Sequence, residues 1–229
     1  MLDERLQTAM SLYDSCDLAA DIGTDHARLP SALLRSGICR KMILTDISKS
    51  ALENARTEIH RYHLDSVADL RLGDGLEPIL ESCDMISVLG MGGRTIENIL
   101  LRGADHLRGA ALLLSAHTDL DRVRRTVAEL GYHLESETPC LDAGRFYLLL
   151  KARPGPEKLT GQELRMGVRL FESNSPVLRP YLLHRYNILS SRLRGLEQAN
   201  QPNEAFIEET RQDLAYLAEK ADIRFTSES

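Results

Sequence analysis

From residue 18 to about residue 130, short apolar runs alternate with stretches whose apolar positions recur at helical spacing. That alternation predicts parallel strands joined by helices that cover the sheet. The strand-length runs are 18–22, 42–46, 67–72, 85–89 and 111–114, and none of them alternates apolar with polar positions. Strands buried on both faces read this way. Helices are expected over 29–36, 50–62, 95–101 and 120–130. Ser48 and Asp119 stand where an N-cap would satisfy free backbone donors, and Gly131 where a helix would stop.

Beyond Gly131 the pattern becomes two extended segments, 132–139 and 145–152, separated by Leu-Asp-Ala-Gly. Segments so close in sequence pair antiparallel, so the sheet is expected to end in a hairpin. Pro154-Gly155-Pro156 interrupts the chain and divides it into expected domains at 1–155 and 156–229. In the second, Leu178, Leu182, Leu189, Leu193 and Leu196 recur at helical spacing, as do Phe206, Leu214, Leu217 and, more loosely, Ile223. Two long amphipathic helices are expected, joined by a turn at 198–203 in which Pro202 opens the second.

Composition narrows the picture. The chain has 229 residues, 43% hydrophobic and 27% charged, enough to bury one α/β core and carry an appendage. No apolar run approaches the roughly 18 residues that span a bilayer. The amino-terminal MLDERLQTAM is acidic and lacks the basic-then-apolar order of a secretion signal, so a cytoplasmic protein is expected. Cys16, Cys39, Cys83 and Cys140 form no CxxC pair and are expected as buried, reduced thiols. His60 and His63 have no third ligand near them, and no metal is expected. A net charge of −6 argues against nucleic acid, yet residues 151–196 hold nine Lys/Arg against three Asp/Glu, and residues 197–229 three against eight. Such a basic segment is either a solvated face or one that meets phosphate.

Four junctions carry candidate chemistry. The first strand leads into Asp21-Ile22-Gly23-Thr24-Asp25-His26, with Gly23 where the backbone passes close to a ligand. One glycine is too few for a pyrophosphate loop, and Asp25 opposes phosphate at a helix start. A cationic, phosphate-free cofactor such as S-adenosylmethionine suits the loop better; an ordinary turn capped by Asp25 is the alternative. Thr45-Asp46-Ile47 ends the second strand, with Asp46 23 residues after Gly23. A carboxylate at about 20 residues past the glycine accepts both ribose hydroxyls. Gly73-Asp74-Gly75 ends the third strand, where Asp74 could accept from an adenine amino group; a tight turn is the alternative.

Leu89-Gly90-Met91-Gly92-Gly93-Arg94 follows the fourth strand, beside the first, and its glycines admit a flat acceptor near the backbone. The candidate catalytic set is Gly90, Met91, Gly92, Gly93 and Asp25. Asp21, Gly23, Thr24, Asp25 and His26, with Asp46, Ile47, Gly73, Asp74, Gly75 and Gly90, form the candidate cofactor set.

These blocks resemble the bacterial tRNA (adenine-22-N1)-methyltransferases: DIGTDHARLP at 21–30, TDIS at 45–48, RLGDGLEPI at 71–79, LGMGGRTIENIL at 89–100 and DAGRFY at 142–147. The resemblance implies a Rossmann-like class I methyltransferase domain, a mostly parallel sheet with a terminal antiparallel hairpin, followed by a coiled-coil-like C-terminal helical hairpin. It implies methyl transfer from S-adenosylmethionine to N1 of an adenine in tRNA, with Arg165, Arg169, Arg185 and Arg192 among the candidate RNA contacts. After the fifth strand the family shows a Gln-Pro pair followed by Asn, where this chain has Ser115-Ala116-His117. A small-molecule methyltransferase, or a protein-binding helical module, would explain some of the same features.

Overall fold

A computed structural model describes residues 2–221. Its seven-stranded sheet has the order β3-β2-β1-β4-β5-β7-β6. The first five strands, β1 Cys16–Ile22, β2 Cys39–Asp46, β3 Ala68–Leu72, β4 Met85–Met91 and β5 Ala111–Ala116, run parallel. Then β6 Tyr132–Asp142 and β7 Arg145–Pro154 form the antiparallel hairpin, with β7 against β5. Asp142 pairs with Arg145, so the turn is the two residues Ala143 and Gly144, at φ 46° and 76°. Two positive φ angles match the right-handed twist of the flanking strands.

Successive strand residues serve opposite faces. Ala20, Ile86, Leu112 and Leu150 belong to one buried cluster, and their neighbours Ala19, Met85, Leu113 and Leu149 to another. Both faces are covered, which is why the strands read as continuous apolar runs. Helices α1 Glu4–Ser11, α2 Arg28–Arg35 and α3 Lys49–Arg61 supply Leu6, Leu33 and Ile59 to the second cluster. On the other face, α4 Gly93–Arg102, α5 Ala104–Leu107 and α6 Leu120–Glu129 supply Leu100, Leu107 and Val127. That cluster extends to Met166 of α7 Gly161–Met166, Leu182 and Leu189 of α8 Leu178–Glu197, and Leu214 and Leu217 of α9 Glu204–Lys220. The C-terminal helices therefore pack on the same apolar core as the sheet.

Ser48 caps α3, its hydroxyl accepting from Ala51 N at 3.4 Å, and Gly131 follows α6 at φ 78°. Two terminal expectations are corrected. Asp119 does not cap α6: its backbone is left-handed at φ 54°, and its carboxylate accepts instead from the Thr118 hydroxyl at 2.7 Å. The second long helix opens at Glu204, capped by Asn203 Oδ1, which accepts from Phe206 N at 3.2 Å. Asn offers the acceptor that the free N–H groups need and Pro202 cannot. Ile223 lies outside the described residues.

One buried ion pair joins the two regions. Arg124 of α6 and Glu137 of β6 are 0% and 1% exposed, and Arg124 Nε donates to Glu137 Oε1 at 2.7 Å. Arg124 Nη1 donates to Leu164 O, while Glu137 Oε2 accepts from the backbone N–H groups of Val168, Arg169 and Leu170 at 2.7, 2.7 and 3.1 Å. Arg124→Leu would leave the carboxylate buried without its cation. We expect a loss of about 3–5 kcal/mol in urea unfolding, together with faster proteolysis in the segment after residue 160. A variant within 1 kcal/mol of the parent by that measurement, or with unchanged proteolysis, would show that the pair is not the clamp.

Candidate active site

The strand order reverses between β1 and β4, and ligands of open α/β sheets bind outside the carboxyl ends of strands at such a point. Three residues of the loop after β1 have positive φ: Gly23 at 74°, Asp25 at 43° and Ala27 at 49°. The two that are not glycine each store about 1–3 kcal/mol of strain, which the surroundings must hold. The loop is fixed by Gly23 N and Thr24 N, both donating to Thr45 O, at 2.8 and 3.1 Å. A Cβ on Gly23 would lie 2.1 Å from Met91 Cε, so the glycine and the acceptor-side methionine meet over the sheet end. Thr24 is buried beside Asp21, and its hydroxyl faces that carboxylate.

Asp21 is buried beneath this loop. Ser87 Oγ donates to its Oδ1 at 2.5 Å, and Tyr13 Oη donates to Ser87 Oγ at 2.6 Å. Burial raises the Asp21 carboxyl above its ordinary range, against the lowering effect of the Ser87 hydrogen bond. Burial likewise pushes the Tyr13 phenol well up, so it stays a donor. Asp46, half-buried at the end of β2, accepts from Ser48 N at 2.8 Å through Oδ1, while Oδ2 faces Asp25 N at 3.4 Å. Asp25 itself is exposed, 3.5 Å from His26 Nε2. Ile47 is 73% exposed, an apolar surface beside the carboxylate that a ring could cover.

The glycines at the third junction have internal reasons. A Cβ on Gly73 would lie 2.3 Å from Pro78 Cγ, and one on Gly75 3.2 Å from two Ile99 carbons. Asp74 Oδ2 accepts from Arg102 Nη1 at 2.7 Å. Gly73 and Gly75 are thus required where they stand by Pro78 and Ile99 packed against the turn. Around the fourth junction the roles divide. Gly93 allows α4 to start against the loop after β5, where a Cβ would be 2.5 Å from Thr118 O. Gly92 has only ordinary contacts at 3.6 Å or more, and Gly90, at φ 77°, lines the cavity.

That cavity has a volume of about 430 Å³ and joins Asp21, Gly23, Thr24, Asp25, His26 and Gly90. Part of its wall comes from outside the cofactor loops: Arg5 from α1, Arg145 and Tyr147 from the hairpin, and His117 of the Ser115-Ala116-His117 stretch where the sequence departs from the family. His117 N donates to Met91 O at 2.9 Å, its ring meets Tyr147 edge-on at 5.9 Å, and the Arg5 guanidinium sits 5.5 Å from the Tyr147 ring centre. The DAGRFY block was the one signal that could have found Arg145 and Tyr147; nothing in the sequence marks Arg5.

A second cavity, of about 890 Å³, begins where the first ends, sharing His117, Arg145 and Tyr147, and runs to α8. Of the four candidate RNA arginines, Arg165, Arg185 and Arg192 line it. Arg165 is spent on Asp213 and Glu209 at 2.7 and 2.8 Å, and Arg169, away from the cavity wall, on Glu157 at 3.3 Å and Leu134 O at 3.1 Å. Arg185 donates to Arg165 O at 3.1 Å, and Arg192 is exposed without a protein partner among the described residues. His60 and His63 are exposed on and just after α3, and all four cysteines are buried and free, with Cys16 Sγ donating to Cys39 Sγ at 2.9 Å.

A doubly covered parallel sheet ending in an antiparallel hairpin, with a buried carboxylate near the end of β1 and a second acid closing β2, is a class I methyltransferase architecture. A family model described as a methyltransferase domain matches residues 2–150, and the chain belongs to that family. The tRNA (adenine(22)-N(1))-methyltransferase of Bacillus subtilis (strain 168) is 32% identical over 156 residues, 67% of this chain. The match spans 66% of that relative's own length. Among solved structures, the B. subtilis M1A22 tRNA methyltransferase TrmK is 26% identical with a TM-score of 0.77, covering 97% of this chain and 96% of its own. M. capricolum TrmK, solved with S-adenosyl-homocysteine, shares the fold at 24% identity and a TM-score of 0.81, covering 98% and 100%. The resemblance read from the sequence blocks is borne out.

A buried acid with a raised pKa binds a proton more readily folded than unfolded, so it subtracts stability as pH rises from its unfolded value through its folded one. Asp21→Asn keeps the acceptor for Ser87 and removes the buried charge. We expect a higher Tm for the variant at pH 7.5, with the gap narrowing as pH falls toward 4.5. Thermal unfolding across that range checks it, and equal Tm values at pH 7.5 would contradict the assignment of Asp21 as a buried anion.

Proposed function

We propose that the chain is an S-adenosylmethionine-dependent methyltransferase that acts on N1 of an adenine in tRNA, as the adenine-22 enzymes it resembles do, in the cytoplasm. The observation that carries the cofactor class is the set of three carboxylates, Asp21, Asp25 and Asp46, converging on a single-glycine loop. Phosphate is repelled there, whereas an ammonium, a sulfonium and a pair of ribose hydroxyls find acceptors. Asp21 and Thr24 would hold the amino-acid end, Asp46 the ribose, and Ile47 would cover the adenine. No described helix is long and apolar enough to cross a membrane.

Bound there, S-adenosylmethionine supplies an electrophilic methyl group. Neutral adenine N1 already presents a lone pair, so the protein needs no strong base; its work is alignment of donor and acceptor, for which effective concentration is the main device. Gly90 and Gly92 leave the approach open beside β4, while His117, Tyr147 and Arg5 form the wall an adenine would lean on. The methylated base is cationic, and the exposed Asp25 carboxylate faces the same cavity and favours that charge. N1 lies on the pairing edge, so a paired target must first leave its helix, at a cost of a few kcal/mol.

The test has two parts. Calorimetry should give saturable S-adenosylmethionine binding that weakens by about 1–3 kcal/mol in Asp46→Ala, the range for unpaired buried donors. Unchanged affinity in that variant would remove Asp46 from the site. Mapping of 1-methyladenosine in tRNA exposed to the protein should then show one modified position; a tRNA pool left unmethylated would overturn the substrate. Since each neutralised phosphate releases counterions, Arg192→Glu should lower tRNA affinity and flatten its salt dependence without touching cofactor affinity. An identical salt slope in parent and variant would make Arg192 a solvated bystander.

A further inference from the structure

The 890 Å³ cavity between the hairpin tip and α8 is not needed to hold either the cofactor or the acceptor base. Its floor is aromatic. Phe146, half-buried beside the tip, lies 4.8 Å from the His184 ring with the planes 31° apart, and meets Tyr181 edge-on at 5.9 Å. His184 is exposed, so a ring supported from one side offers its other face to the groove. Its rim is cationic: Arg145 and Arg192 are exposed and without protein partners among the described residues, and Arg185 stands beside Tyr181 at 3.4 Å. Of the carboxylates on its wall, Asp213 and Glu209 are neutralised by Arg165, and Asp119 and Asp121 stand at the start of α6.

A supported aromatic face with uncommitted guanidinium groups at its edge is the chemistry that takes a single-stranded nucleotide, base on ring and phosphate on arginine. Position selects which nucleotide. The groove meets the acceptor cavity at His117, Arg145 and Tyr147, so an RNA strand whose target base enters one cavity carries its neighbour into the other. We infer that this groove is a second base-binding site, in which the unpaired nucleotide next to the target adenine stacks on His184 with Arg145 and Arg192 on its phosphates. The inference rests on the proposed methylation of RNA and goes beyond it by naming a recognition site for the flanking nucleotide.

The test is KM for tRNA, measured with the full chain on an intact transcript and on transcripts with an abasic residue immediately 5′ or 3′ of the target adenine. For the parent, one of the two abasic transcripts should raise KM by about 5- to 100-fold, the span of a single base–aromatic stack. His184→Ala should show a rise of similar size on the intact transcript, His184→Phe should restore most of it, and the abasic residue should add nothing to His184→Ala. Losses that multiply in the combination, or abasic transcripts on both sides that leave the parent's KM unchanged, would overturn the stacking site while methylation of the intact transcript continued. A parent protein that methylates no tRNA at all would instead overturn the function on which the site depends, and the site with it.

Discussion

Everything on the acceptor side of this molecule hangs on a carboxylate and a guanidinium that have both been taken out of water. Glu137 sits in the middle of the hairpin strand β6, where a charge can survive only if its oxygens are fully used. Arg124 takes one oxygen, and three consecutive backbone N–H groups of the segment after α7 take the other. The segment has no room to settle elsewhere: Gly167 turns at φ 103°, and a Cβ on it would be 2.9 Å from Glu137 Oε2. The short connection after α7, which runs into a 3-10 turn at Leu170–Glu172, is therefore bolted to the sheet ahead of α8 and α9. The groove between α8 and the hairpin tip is as rigid as this pair makes it.

The cofactor end is organised by the opposite economy. Its carboxylates are under-used, and its backbone is held in conformations that Asp25 and Ala27 would not choose alone. Asp21 is buried at a cost that shows in its raised pKa, with the Ser87–Tyr13 chain, Thr24 and the Arg5 charge opposing that cost. Stability is given up at the switch point and recovered in the two apolar layers on either side of the sheet, where Leu112 and Leu113 on adjacent positions are both fully buried. Acceptors left short of partners are what a cationic ligand requires.

Much of this could be read along the chain because strands, helices and the cofactor loops are local. The runs around Leu18, Met42, Met85 and Ala111 became the central strands, and the order Gly23, Asp46, Gly90 reported the switch point because loops after parallel strands all fall on one edge. The glycines around Asp74 read ambiguously for a physical reason: a Gly-Asp-Gly turn has the same composition whether its glycines leave room for a ligand or are required by Pro78 and Ile99 packed against them. Counting arginines in 151–196 could not tell Arg165, closed on Asp213 from 48 residues away, from Arg192, which has no protein partner among the described residues. Long-range pairing is invisible to composition. Asp119 failed as a cap because a single left-handed residue turned its carboxylate toward Thr118.

The departure from the family at Ser115-Ala116-His117 is better understood from the backbone than from the side chains. Ser115 and Ala116 still pair with Leu89 and Met91 across the β4–β5 ladder, with the local shift in register that brings Met91 over Gly23, and His117 N donates to Met91 O. The path of the chain at His117 is thus set by backbone pairing rather than by the side chains that the exchange alters. What the sequence change alters is only what projects from that path. An imidazole packed edge-on against Tyr147 and close to Gly90 offers, when neutral, one donor and one acceptor at separate corners of a rigid ring, where an amide offers two donors and a carbonyl from one terminal group. The acceptor wall keeps its shape and changes its hydrogen-bonding vocabulary, while Asp21, Gly23 and Asp46 stand at the other junctions, untouched by the exchange.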